Sequence, residues 1–403
     1  MKQKIITRTI LILSLVSLFT DVASEMLYPV MPIFLKSIGF SVLLIGILEG
    51  FAEAVAGISK SYFGRASDIS GKRLPFVQLG YFLSAISKPM MAAFIYPLWI
   101  FFARTTDRLG KGLRTAARDA ILSDESSLEN KGKVFGFHRS LDTIGAVLGP
   151  SLALLFLYYY PGKYQLLFIL AFLPGLAAIT LTLLIKEKKK PVLLKSKLVS
   201  KKFFDIFSYW KHSNSSYKKL ITGLLLFALF NSSDVFLLLK MKTSGLNDTS
   251  VIGVYIFYNI VYALLSYPMG ILADKLGMKK IFLSGLFIFS MVYTGFAVSS
   301  SVYVFLSLFF LYGLYAAATE GISKAWISNI VDRNETASAI GTYTGLQSIC
   351  ALIASSLTGL LWITLGAKVT FIITAVFTLL VILYLFNFST VIDKSYENLE
   401  LVD

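Results

Sequence analysis

Cysteine is nearly absent: of 403 residues only Cys350 carries a thiol. A single thiol cannot build an internal disulfide framework, and it leaves the redox compartment open. Charge is scarce too. Asp, Glu, Lys and Arg together make up 15% of the chain, against 56% hydrophobic residues and a mean hydropathy of +0.72. Soluble domains carry about 25% charged residues, so this composition excludes that class and points to a membrane. Histidine is limited to His138 and His212, which are far apart in the chain and read as surface groups rather than metal ligands. Metal-ligand spacing and a nucleophile with a partner histidine are both missing. Gly110-Lys111-Gly112 lacks the spacing of a phosphate-binding loop. These absences argue against an enzyme, a bound metal or cofactor, and ATP as the energy source.

What is present is a succession of apolar runs, each about the 20 residues that span a bilayer. About twelve can be delimited, at roughly 9–36, 41–63, 74–95, 96–117, 134–158, 164–185, 220–241, 249–273, 281–298, 301–327, 336–362 and 366–389. Lys2, Lys4 and Arg8 before the first run look like the start of a secretory signal. The run, however, continues past Asp21 to Leu35 without a small-residue cleavage site, so a membrane span is expected instead. The net charge of +15 is spread by topology rather than gathered on a surface for nucleic acid. With the N-terminus inside, the odd-numbered gaps hold only Lys36, Lys163, Lys240, Lys242 and Lys368, and most remaining bases fall on the other side. Both termini are therefore expected on the cytoplasmic side of a bacterial inner membrane.

The expected organisation is a six-span bundle over 1–185, a linker over 186–219, a second six-span bundle over 220–390 and a cytoplasmic tail over 391–403. The linker carries eleven lysines, and its Phe203–Trp210 stretch suits a short amphipathic helix on an anionic leaflet. The acidic tail after about 390 is expected to be disordered.

Between spans 2 and 3 lies Gly64-Arg-Ala-Ser-Asp68-Ile-Ser-Gly71-Lys72-Arg73, and between spans 8 and 9 lies Gly270-Ile-Leu-Ala-Asp274-Lys-Leu-Gly277-Met-Lys279-Lys280. In both, a glycine precedes the aspartate by four positions and another follows it by three. Glycine accepts the positive φ of a tight turn, and an aspartate can cap a neighbouring helix. These residues resemble the loop motif of the major facilitator superfamily, although Ile69 and the inserted Met278 depart from it. The resemblance covers nearly the whole chain and implies an all-α membrane protein of twelve transmembrane helices in two pseudo-symmetric six-helix bundles. Gly145-Ala-Val-Leu-Gly149-Pro150 in span 5 resembles the element found in proton antiporters of that superfamily, with Ser151 and Leu152 in place of its following glycines. The arginine motif of the superfamily's fourth helix falls on Arg104 or Arg108, and the register leaves both open. The run from Asp107 to Asp119 is similar to a prokaryotic branch whose members largely lack assigned substrates.

Charges inside apolar spans cost about 2.5 to 3.5 kcal/mol each on insertion scales, so they need a partner or a wet cavity. Asp21 and Glu25 sit one turn apart in span 1, as Glu49 and Glu53 do in span 2. Tyr28-Pro29 is expected to kink the end of span 1. Lys88 offers a base to one of these acids. Arg104, Asp107, Arg108 and Lys111 form a stripe along span 4, while Asn231 and Asp234 are expected on one face of span 7. Glu320 and Lys324, four apart in span 10, suggest a pair that partly neutralises itself.

The polar load thus concentrates in spans 1, 4, 7 and 10, the helices that line the cavity in the superfamily. Spans 3, 6, 9 and 12 read as lipid-facing supports. Counting intramembrane groups gives seven acids against five bases, leaving two carboxylates unmatched and suited to carry a proton. The expectation is a secondary transporter for a small-molecule substrate, with proton antiport and export favoured and Asp21 or Glu25 carrying the proton. Tyr28, Arg104, Asp107, Arg108, Asn231, Asp234, Glu320 and Lys324 are expected to line the cavity. Uptake of a metal ion or chelate such as a siderophore, and a non-transporting receptor or scaffold, are the alternatives. A monomer in the lipid bilayer is expected.

Overall fold

The computed structural model describes residues 5–28, 30, 31, 34, 35, 38, 39, 42–186, 208–246 and 248–387. Among them the regular structure is helical. The first half contributes α1 (Arg8–Glu25), α2 (Val42–Ser70), α3 (Leu74–Ala93), α4 (Pro97–Asp124), α5 (Lys131–Tyr159) and α6 (Tyr164–Thr182). After a single helical turn, α7 (Ser208–His212), come α8 (Ser215–Ala228), α9 (Val235–Thr243), α10 (Asp248–Leu276), α11 (Met278–Val298), α12 (Val302–Ile330) and α13 (Thr336–Phe386). Helices α8 and α9 form one interrupted pass. Helix α13 bends at Gly366, where φ is 81°, and makes two. The described helices therefore make twelve passes of an all-α membrane protein.

Local sequence explains where the helices start. The Thr7 hydroxyl accepts the Ile10 amide at 3.2 Å, and the Asn214 side chain accepts the Tyr217 amide at 2.6 Å, each satisfying an amide that has no partner within its helix. Pro97 opens α4 at a position where no amide hydrogen is needed. Pro89, Pro150, Pro174 and Pro268 stand inside helices, as neighbouring helices permit in a bilayer. Large apolar side chains such as Leu98, Tyr303 and Ile363 lie on the outside, where lipid covers them.

Four helices hold the halves together: α2 packs on α13, and α5 packs on α10. Each of α2, α5 and α10 is 29 residues long, about 43 Å of helix, which carries it beyond the hydrocarbon; α2 and α10 run there into the two repeated loops. At that end of the bundle, hereafter the loop end, both motif aspartates cross between halves. Asp68 accepts the Ser338 amide at 2.7 Å and its hydroxyl at 2.9 Å, in the first turn of α13. Arg73 braces Asp68 through Nη2 at 2.6 Å, reaches Asp124, and donates to the Arg333 carbonyl at 2.9 Å. Asp274 accepts the Gly132 and Lys133 amides at 2.7 and 2.8 Å, at the start of α5. Each aspartate thus caps a helix of the opposite half, where the helix dipole favours negative charge.

The two glycines of each motif do different work. Gly71 and Gly277 take positive φ, 65° and 95°. Gly64 and Gly270 instead permit contact: a Cβ on Gly64 would lie 2.4 Å from the Ala337 carbonyl, and one on Gly270 2.2 Å from that of Gly132.

Two expectations change here. Helix α11 is more than a lipid-facing support, because Phe289, Tyr293 and Phe296 on its inner face build the aromatic core of the second half. Tyr209 and Trp210 turn onto Tyr217 rather than toward a leaflet, because ring-on-ring contact with the protein buries them. Tyr209 donates to Glu335 at 3.2 Å, and burial together with that carboxylate pushes its phenol above the ordinary value. Residues 203–207 of the amphipathic stretch and the tail after 387 lie outside the described residues.

Candidate functional site

Helices α1 and α4 bring most of the expected charge to one place. Asp21, Ser24, Glu25, Tyr28, Arg104, Asp107, Arg108, Lys111 and Arg114 line a single cavity of about 30 Å³. That volume holds about two waters, so the site is closed around this cluster. The α4 groups at 104, 107, 108 and 111 share a face through their spacing of three and four. Asp107, buried at 4% exposure, takes Lys88 Nζ at 2.7 Å and Arg104 Nη1 at 3.6 Å. Lys88 therefore serves Asp107 and also donates to Ser24 at 3.3 Å. The side chains of Glu49 and Glu53 lie outside the described residues. Glu25 sits within electrostatic reach of Lys111, Arg108 and Arg104.

Helix α5 presses against α1 at these carboxylates. A Cβ on Gly145 would come within 2.5 Å of the Leu18 carbonyl and 2.9 Å of Asp21 Cβ. One on Gly149 would come within 2.8 Å of the Val22 carbonyl and 2.9 Å of Glu25 Cβ. Pro150 follows inside the same helix.

Several functional-looking residues escaped the reading of the sequence. Asp142 of α5 is buried, takes Arg139 Nη1 at 2.7 Å, accepts the Ser17 hydroxyl, and lies against the Asp21 carboxyl. Asp119, fully buried, takes Arg118 Nη2 at 2.9 Å and Lys324 Nζ at 2.8 Å. Lys324 therefore crosses to the other half and does not neutralise Glu320, its neighbour one turn away. Arg118 also donates to Ser17 at 3.0 Å. His138 is buried too, with Nδ1 3.3 Å from the Ser14 hydroxyl, which corrects its expected place on the surface. The count of seven acids and five bases was therefore incomplete: Asp119, Asp142, Arg114, Arg118 and Arg139 belong to the same charged interior. Asp142 stands well inside span 5, and its position there was the available signal.

The second half meets this cluster with a wall of different character. Asn231 and Asp234 do not share a helical face, because the pass is interrupted between Ala228 and Val235. Asp234 accepts the Tyr312 hydroxyl at 2.6 Å, and Asn231 Nδ2 donates to Tyr315 at 3.1 Å. Tyr255 lies within electrostatic reach of both Asp234 and Glu25, which places the two walls opposite each other. Glu320 and Arg139 are likewise close enough to interact. Tyr28 ends the α1 segment as an exposed side chain, while Pro29 lies outside the described residues. Among the described residues, no group of three or more His, Cys, Asp and Glu could hold a metal ion.

Comparison with known proteins agrees with this architecture. The sequence pattern described as Major Facilitator Superfamily matches residues 13–257 and again 236–398. A protein of Methanocaldococcus jannaschii named as an uncharacterized MFS-type transporter, MJ1317, is 32% identical over 384 residues, 93% of each chain. Among solved structures, the human organic anion transporter MFSD10 superposes with a TM-score of 0.75 at 16% identity, covering 94% of this chain and 99% of its own. The Escherichia coli fucose:proton symporter FucP gives 0.76 at 10% identity, covering 96% and 100%. At such identities the two structures speak for the fold alone.

Proposed function

Because the chain belongs to the major facilitator superfamily, a family of membrane transporters rather than enzymes, we propose that it exports a small organic solute in exchange for protons. In this reading Asp21 or Glu25 carries the proton, and Arg104 or Arg108 competes for the ionised carboxylate. The observation that carries it is the meeting of α1 and α5. Gly145 and Gly149, which precede Pro150, press on the α1 backbone beside Asp21 and Glu25, so a change in charge on those acids is felt where α5 begins its path to the second half.

The two halves, 1–185 and 220–390, rock about the central cavity on the linker 186–219. The motif residues Asp68, Arg73 and Asp274 hold the loop end shut in the conformation described here. Solute would then enter and leave by alternating access. The reading places a monomer in a bacterial inner membrane with both termini in the cytoplasm. The neighbouring cations Lys111, Arg104 and Arg108 weigh against a bare metal ion as cargo at the α1 carboxylates.

The test is proton movement in proteoliposomes loaded with a pH-sensitive dye. A panel of metabolites and drugs is first screened by thermal shift, since a ligand stabilises the state that it binds. A stabilising solute placed on one side should drive protons toward that side. Proton movement together with the solute would overturn antiport, and solute movement without protons would overturn coupling.

A further inference from the structure

We propose that Asp234 receives the positively charged nitrogen of the solute, so that the cargo is an organic cation of the ammonium class and competes there with a proton. This rests on the transport reading above and adds to it the sign of the cargo's charge.

The first half answers its own carboxylates with bases: Asp107 has Lys88, Asp142 has Arg139, and Asp119 has Arg118 and Lys324. Asp234 is different. Among the described residues its one side-chain hydrogen bond comes from Tyr312, and the charged group within electrostatic reach is another acid, Glu320. A carboxylate offers about four lone-pair sites, and a charge left this incomplete at membrane depth is costly. The start of α9 supplies partial positive charge at Asp234, but only about half an elementary charge. A cation completes the site.

The surroundings favour an organic cation over a metal ion. Ring centroids of Tyr255 and Tyr258 lie 5.9 Å apart, those of Tyr258 and Tyr312 5.1 Å, and those of Tyr312 and Tyr315 5.3 Å. Tyr258, Tyr312 and Tyr315 are buried behind Tyr255, which is half-buried and can offer its phenol face to an ammonium through the ring quadrupole. Asp234 itself is half-buried and Ser233 beside it is exposed.

Competition follows from the chemistry, because a carboxyl that holds a proton has no charge for an ammonium. The titratable groups facing Asp234 are Tyr312, Tyr315 and Glu320 of α12, Tyr293 of α11, and Tyr255 and Tyr258 of α10. From α13 comes only the neutral Ser355, which accepts the Ser233 amide at 3.2 Å. Glu25 and Tyr28 face Tyr255 across the cavity. Lys240 and Lys242 stand at the far end of α9. A cation released as the proton arrives gives the exchange that antiport requires.

The experiment is isothermal titration calorimetry on the full chain in nanodiscs, with benzyltrimethylammonium, benzyl alcohol, benzoate and sodium chloride as separate probes at pH 8 and pH 6. The ammonium probe should bind at least tenfold tighter than the alcohol, and weaken severalfold at pH 6. Asp234→Asn should lose at least tenfold of that binding and its pH dependence, while Asp234→Glu, which keeps the charge, should retain most of it. Equal binding to wild type and Asp234→Asn, stronger binding of benzoate, or displacement of the ammonium by millimolar sodium would overturn the proposal. Binding is read without transport, so a failure here is distinct from a failure of the antiport reading.

Discussion

Replacing Gly270 by alanine should push the halves apart at the loop end. The new Cβ would lie 2.2 Å from the Gly132 carbonyl oxygen and 2.8 Å from its carbon, and both are backbone atoms of another helix. No rotamer can relieve the contact, so α5 and α10 must separate by about 1 Å to reach ordinary van der Waals distance. Overpacking of this kind costs about 1 to 3 kcal/mol. The cost falls on the conformation in which the loop ends touch and vanishes once they part. At about 1.4 kcal/mol per tenfold, the population ratio should move by a factor of about 5 to 140 toward the loop-open form. The assay is double electron–electron resonance between spin labels at positions 72 and 275, both exposed, in a background with Cys350→Ser. Gly253→Ala is the control: nothing lies within 4 Å of its Cβ, and it should stabilise α10 by up to about 1 kcal/mol without moving the distance. A Gly270→Ala distribution identical to wild type, or one shifted to shorter distances, would refute the reasoning.

Other pairs carry their own tests. Lys88→Met takes away the 2.7 Å partner of Asp107, whose contact with Arg104 is longer at 3.6 Å, and should cost about 3 to 5 kcal/mol of stability; adding Asp107→Asn should recover part of it, read by thermal unfolding in detergent. Lys324→Gln and Asp119→Asn remove one inter-half ion pair, and a double-mutant cycle on the spin-label distance populations should give a coupling of about 0.5 to 3 kcal/mol. Asp274→Ala strips two amides at the start of α5 of their acceptor and should lower stability by about 0.5 to 2 kcal/mol, with less effect for Asp274→Asn.

The helices were legible because lipid demands long apolar runs, and the loop motifs because turns demand glycine at fixed spacing. What the sequence could not supply was pairing. Lys324 is one turn from Glu320, yet its charge goes to Asp119, about two hundred residues away in the chain, because the α4–α12 crossing brings that fully buried acid within 2.8 Å. The interruption before Val235 was hidden for another reason: Asn231-Ser-Ser-Asp234 contains neither proline nor glycine, and only the competition of its side chains for backbone bonds hints at a break. His138 looked like a surface group because it sits near the polar gap before span 5, whereas the packing of the long helix α5 buries it.

The central claim is that the α1 carboxylates couple solute movement to protons. The direct measurement is pH-gradient-driven accumulation of a stabilising solute in proteoliposomes, comparing wild type with Asp21→Asn, Glu25→Gln and the double variant. The account predicts accumulation in wild type and its loss in at least the double variant, with protein still folded by thermal unfolding. Full gradient-driven accumulation by the double variant would contradict it.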